Sequence, residues 1–177
     1  MKIFDIDSLI TDIGSKKHMM DLRISPSFST RLVVKFHEMK DGSLQGFYIF
    51  EPMIFDVSWR MKDKIGEESV MSSASLEIIR NDEVFKSQYS PKAFYLNALE
   101  TKHVNDLYNN GLPDDVEKSM GLDGHTYELW IYKNDEEKYY RAWCFIPPEW
   151  EKLSKLLSIV KEKIVCDDEL TMQYPYF

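Results

Sequence analysis

The run His125-Thr126-Tyr127-Glu128-Leu129-Trp130-Ile131-Tyr132-Lys133, then Asn134-Asp135-Glu136-Glu137, then Lys138-Tyr139-Tyr140-Arg141-Ala142-Trp143-Cys144-Phe145-Ile146, decides the fold class. Tyr127, Leu129 and Ile131 alternate with Thr126, Glu128, Trp130 and Tyr132, the period of two that follows when successive side chains leave opposite faces of a sheet. Both sets are bulky, which places the strand inside a sheet. The polar residues 134–137 turn the chain back into a partner strand over 139–146. Pro147-Pro148 ends it. Trp150, Leu153, Leu156, Leu157, Val160 and Ile164 then recur three or four residues apart, with Lys152, Lys155, Lys161 and Lys163 facing water, which predicts an amphipathic helix over 148–165. A hairpin closed by a helix is an α+β arrangement.

Moving toward the N-terminus, Pro91 opens a pattern of Phe94, Ala98, Leu99, Val104 and Leu107 that predicts a helix halted by Asn109-Asn110-Gly111. A shorter helix follows from Pro113 to Met120, and Gly121-Leu122-Asp123-Gly124 forms a turn. Earlier still the period is two. Leu32, Val34 and Phe36 alternate with Val33, Lys35 and His37, Asp41-Gly42 turns the chain, and 46–50 returns as the second arm. Met53, Phe55, Val57, Trp59 and Met61 continue the alternation past Pro52, and 72–80 and 83–89, joined at Asn81-Asp82, read as a further hairpin. Near the N-terminus Asp7 is placed to cap a short helix that Gly14 ends. The expected architecture is a single α+β domain, 1–177, with a mainly antiparallel sheet of about six or seven strands packed by helices near 92–120 and 148–165.

Length and composition fit that reading. The 177 residues are 44% hydrophobic and 14% aromatic, enough apolar matter for an ordinary core and too much for a disordered chain. No run approaches the roughly 18 to 20 apolar residues of a bilayer span, and Met1-Lys2-Ile3-Phe4-Asp5 lacks a secretory apolar region, so the expectation is a cytoplasmic protein without membrane contact. The two cysteines, Cys144 and Cys166, lie in no paired spacing and suit buried free thiols in a reducing compartment. Lys and Arg are scattered in a chain of net charge -8, which argues against direct nucleic-acid binding.

Motifs with a defined chemistry are missing. His18, His37, His103 and His125 lie far apart in sequence and form no metal-ligand spacing, so neither metal nor cofactor is expected. His103 and Asp106 share a helix face, where an ion pair is the simplest reading. No Gly-x-Ser-x-Gly elbow or glycine-rich phosphate loop occurs. A nucleophile such as Cys144 meeting a distant His in three dimensions would be the route to an enzyme.

Charge is the uneven feature. Residues 112–137 hold Asp114, Asp115, Glu117, Asp123, Glu128, Asp135, Glu136 and Glu137 against Lys118 and Lys133, so -6 of the net -8 lies in this segment. Helix starts and turns attract acidic residues for local reasons. Beside the aromatics of the hairpin, however, the same residues would steer a basic protein partner and hold it. The predicted partner-binding set is Asp114, Asp115, Asp135, Glu136 and Glu137, with Trp130 and Tyr132.

Over 121–165 the stretches Gly121-Leu122-Asp123-Gly124-His125-Thr126-Tyr127-Glu128-Leu129-Trp130-Ile131-Tyr132, Tyr139-Tyr140-Arg141-Ala142-Trp143 and Pro147-Pro148-Glu149-Trp150-Glu151-Lys152-Leu153-Ser154-Lys155-Leu156-Leu157 form a ββα pattern. It resembles small bacterial proteins of unassigned function and is similar in style to immunity proteins of bacterial toxin systems. The resemblance spans about a quarter of the chain and implies a stoichiometric inhibitor without catalytic residues, bound to a basic, nuclease-type toxin domain. The other classes left open are a small-molecule-binding or hydrolytic enzyme assembled only in three dimensions, and a protein that self-associates as a homodimer through the hairpin aromatics.

Overall fold

One six-stranded antiparallel sheet organises the computed structural model, which describes residues 3–27, 30–52, 54–66, 72–114 and 124–164. The strands are β1 (Ser15–Pro26), β2 (Arg31–Met39), β3 (Leu44–Glu51), β4 (Lys92–Tyr95), β5 (His125–Lys133) and β6 (Glu136–Trp143), in the order β4-β3-β2-β1-β5-β6. The helices are α1 (Ile6–Ile13), α2 (Ile54–Ile65), α3 (Ser73–Asn81), α4 (Glu83–Tyr89), α5 (Ala98–Asn110) and α6 (Glu151–Lys163), the last entered through a 3-10 turn at Pro148–Trp150. The α+β class and the antiparallel sheet are as the sequence led us to expect, and β5 does lie inside the sheet, between β1 and β6.

The two faces of the sheet are covered unequally. Met20, Leu22 and Ile24 of β1, Leu32, Val34 and Phe36 of β2, Tyr127, Leu129 and Ile131 of β5, and Tyr140 and Ala142 of β6 point to one face. There they join Val57, Met61, Ile79, Phe85, Tyr89, Val104, Leu107, Trp150, Leu153, Leu156 and Val160 from α2 to α6 and the 3-10 turn in the main core. On the opposite face Val33, Met39, Phe47 and Ile49 are buried under Ile6 and Ile10 of α1. This smaller core covers β2 and β3. Asp5, not Asp7, caps α1, accepting from the Asp7 N–H at 3.0 Å, and Gly14 ends it at φ 89°.

Several segments depart from the sequence reading, among them Ser15–Pro26, which it did not read as a strand. Residues 54–65 are helical: Val57, Met61 and Ile65 are buried at i, i+4 and i+8, whereas Trp59, expected on a core face, is 73% exposed. Residues 73–81 and 83–89 are α3 and α4, because Ser72 caps the first and Asp82 ends it and caps the second, accepting from the Val84 and Phe85 N–H groups at 3.1 Å. The pair Asn81-Asp82 is thus a helix–helix joint. Residues 92–95 form β4 ahead of the helix, which starts only where Asn97 and Glu100 form a reciprocal cap. The helix expected from Pro113 to Met120 and the turn expected at Gly121-Leu122-Asp123-Gly124 fall mainly on 115–123, Asp115 included, which lie outside the described residues, as does Cys166.

Candidate functional site

The face of β1, β5 and β6 opposite the main core carries the chemistry. Its rows follow from register: Asp21, Trp130 and Tyr139 lie side by side, then Arg23, Glu128 and Arg141, then Ser25, Thr126 and Trp143. Among the described residues no helix buries this surface as α1 buries Val33 and Ile49. Tyr139 is 48% exposed, and Glu137 and Arg141 are exposed. Trp130 packs against Tyr139 at 4.9 Å and under the Arg23 guanidinium at 4.5 Å, so the aromatic surface is held in place by ring and cation–π contacts. The Tyr139 hydroxyl donates to Glu128 Oε1 at 2.7 Å, and burial together with this bond pushes the phenol up to about 12.

Where this surface meets α1 a polar cluster is built. His18 lies flat on His37 at 4.5 Å and 7°, with Tyr132 at 4.5 Å from the same ring. His18 Nε2 sits 2.7 Å from Asp21 Oδ1, Tyr132 donates to Asp21 Oδ2 at 3.3 Å, and Lys35 Nζ stands 3.9 Å from Asp21 and 2.8 Å from Asp7. Burial pushes the Asp21 carboxyl upward, but the His18 bond and charge, Lys35 and Tyr132 outweigh it and hold the group below its usual range. Tyr132 is raised by burial and by the Asp21 charge. His37 accepts from or donates to Ser15 Oγ through Nδ1 at 2.7 Å. Burial, then the charges of His18 and Lys35, bring it down to about 4 against the opposing pull of Asp21 and Asp7, so it is neutral near pH 7. Sequence reading missed this cluster, because none of its members is adjacent in a motif; β1 itself was unpredicted.

The hairpin tip closes the site at one end. Asn134 and Asp135 both adopt left-handed backbone, φ 53° and 64°, which makes a two-residue turn whose twist matches the strands. Lys133 Nζ donates to the Asn109 carbonyl at 3.2 Å, fixing the tip against the end of α5. An open depression of about 620 Å³ runs between the polar cluster and the tip, lined by Lys17, His18, Tyr132, Lys133 and residues 134–137.

Of the predicted binding residues, Asp135, Glu136 and Glu137 are brought together, exposed, at this tip, and Trp130 and Tyr132 lie half-buried on the surface beside it. Asp114 is exposed but follows Pro113, whose carbonyl accepts from Trp150 Nε1 at 3.0 Å on the helix-covered side, so it is not part of the same surface. His103 and Asp106 do not pair: His103 Nε2 reaches the Lys152 carbonyl at 2.9 Å and Asp106 pairs with Lys152 Nζ at 2.7 Å, joining α5 to α6. Cys144, a half-buried thiol, stands opposite His125, and its backbone N–H donates to the His125 carbonyl at 2.8 Å. Among the described residues no three His, Cys, Asp or Glu side chains are placed to hold a metal ion, and no helix is long and apolar enough to cross a membrane. Compared with models of known protein families, with characterised proteins and with solved structures, the chain matches none.

Proposed function

We propose that this protein is a binding module for another protein, in its most concrete form an immunity protein that neutralises a basic, nuclease-type toxin domain by stoichiometric cover. The observation that carries the reading is the sheet surface over β1, β5 and β6, aromatic and, among the described residues, without a helix on it, which runs into an acidic, conformationally fixed tip. Trp and Tyr held rigid by their neighbours give large contact area at little ordering cost, which is why such residues dominate binding energy in interfaces. Asp135, Glu136 and Glu137 at the edge would act mainly on approach, raising the rate at which a basic partner arrives and giving the complex a marked salt dependence.

The test is binding of the cognate toxin domain, with the product of the gene immediately upstream as first candidate. Reversing Asp135, Glu136 and Glu137 to Lys lowers the association rate by about tenfold or more and flattens its salt dependence. Trp130→Ala raises the dissociation rate by a factor on the order of 10 to 100. Unchanged kinetics in both variants would remove this surface from the interface.

A hydrolytic reading has one observation in its favour, the Ser15–His37 contact. It is weaker support, because His37 binds protons only near pH 4 and, among the described residues, its buried Nε2 has no hydrogen-bond partner to orient it as a base. Ester hydrolysis that is lost in Ser15→Ala would favour that alternative.

A further inference from the structure

The sheet ends in two edges that are treated differently. β4 is four residues long with Pro91 immediately before it, the kind of short, proline-flanked edge that resists pairing. β6 is eight residues long, contains no proline and pairs with β5 without a bulge. Among the described residues nothing pairs with its outer side.

The register fixes which of its backbone groups are unused. The Cys144 N–H donates to the His125 carbonyl, so 144 and 125 are a hydrogen-bonded pair, and in an antiparallel ladder such pairs recur at every second residue. Residues 136, 138, 140 and 142 therefore turn their N–H and C=O toward β5, and 137, 139 and 141 turn theirs outward. All three, Glu137, Tyr139 and Arg141, are exposed.

Edge charges ordinarily block association. Here two of them, Glu137 and Arg141, are arranged so that one pairing satisfies both. Glu137 and Arg141 are four residues apart, project from the same face and flank Tyr139 symmetrically. Neither has an ion-pair partner among the described residues; Glu128, directly across the ladder from Arg141, is engaged by the Tyr139 hydroxyl.

We infer that β6 pairs antiparallel with β6 of a second copy of this chain, in the register that places Tyr139 opposite Tyr139 and Glu137 opposite Arg141 on both sides. In this register the outward N–H and C=O groups of 137, 139 and 141 meet their counterparts, giving about six backbone hydrogen bonds. Each Glu137 faces an Arg141, the favourable arrangement for cross-strand charges. Shifting the register by one residue either way sets these outward-facing backbone groups opposite groups already bonded to β5, so the six hydrogen bonds are lost. The two sheets become one of twelve strands, with the aromatic surfaces of both copies on the same side. The inference stands independently of the toxin-binding reading.

Sedimentation velocity on the purified full chain, over about 1 to 500 µM, tests it without any partner. The expected result is a mass that doubles with concentration. Glu137→Arg and Arg141→Glu each create two like-charge pairs and raise the half-dimerisation concentration by about tenfold or more, and the double variant E137R/R141E restores it to within about threefold. Both positions are exposed, and unchanged circular dichroism confirms that the variants fold. A second measurement uses Tyr139→Cys with Cys144 and Cys166 changed to Ser. In the proposed register the two Tyr139 Cα atoms lie about 5.5 Å apart, within disulfide range, so oxidation links the copies, whereas Lys138→Cys in the same background does not link. A monomer at every concentration, single reversals that dimerise like the parent, a double reversal that fails to rescue, or linking at 138 in place of 139 would each overturn the inference.

Discussion

His37 illustrates how one buried ring makes stability depend on pH. In the folded chain it takes up a proton only near pH 4, because burial and the neighbouring His18 and Lys35 disfavour the imidazolium more than Asp21 and Asp7 favour it, whereas an unfolded histidine does so near 6.5. Between those values the unfolded state holds more protons, so stability falls on acidification from about 6.5 and the loss is complete near pH 4, on the order of 3 kcal/mol. Asp21 acts lower: its folded value lies below 3.8, so the stability it contributes is present above that value and disappears as pH falls beneath it. Urea titrations from pH 7 to 4 should show the His37 slope, and His37→Gln should remove most of it; an equal slope in the variant would mean other groups are responsible. Gly46 carries a steric version of the same dependence on surroundings. It faces Phe94 across the ladder, and a methyl group there would overlap the Phe94 ring. Gly46→Ala is expected to cost about 1 to 3 kcal/mol in denaturant unfolding by displacing Phe94 and loosening β4.

Elements were legible where period and punctuation agreed. The β2–β3 and β5–β6 hairpins and α6 each combine clean periodicity with a turn or proline at the boundary. Residues 53–61 misled because apolar residues at every second position include those four apart: Val57 and Met61 satisfy both templates, and the exposure of Trp59 appears only once the chain is folded. β1 was missed for the opposite reason. A register irregularity between His18 and Met20 interrupts its alternation, so that Met19 through Leu22 are all buried, Asp21 included. Asn81-Asp82 resembles a hairpin turn because the side-chain oxygen that closes a turn also caps a helix. Asp82→Ala removes two hydrogen bonds to the first turn of α4 and the partner of Lys64, and thermal unfolding should show a loss of about 1 to 2 kcal/mol. Asp82→Asn, which retains the acceptor, should recover most of it. A silent Asp82→Ala would show that α4 is held by Phe85 and Tyr89 alone.

At the scale of the molecule, two cores on one sheet leave part of it without a helix among the described residues, and the proposed binding surface lies there. The acidic bias of 112–137 was visible in sequence, but folding divides it: Asp135, Glu136 and Glu137 gather at the hairpin tip, and Asp114 goes to the helical side. The aromatic excess of the hairpin was visible too, and its resolution is that Tyr127 and Tyr140 enter the main core while Trp130, Tyr132 and Tyr139 populate the open face. The His18–Asp21–Lys35–Tyr132 cluster was not visible, since it needs β1 to be set between β2 and β5. The most direct test of the proposed role is a low-salt pull-down from the native cell, run in parallel with the parent protein and the variant in which Asp135, Glu136 and Glu137 are reversed to Lys and Trp130 is Ala. The expected result is one basic protein, captured one-to-one by the parent, released as salt is raised and absent from the variant. Capture of the same protein by both forms, or of none by a folded parent, would contradict the placing of the binding surface on this face of the sheet.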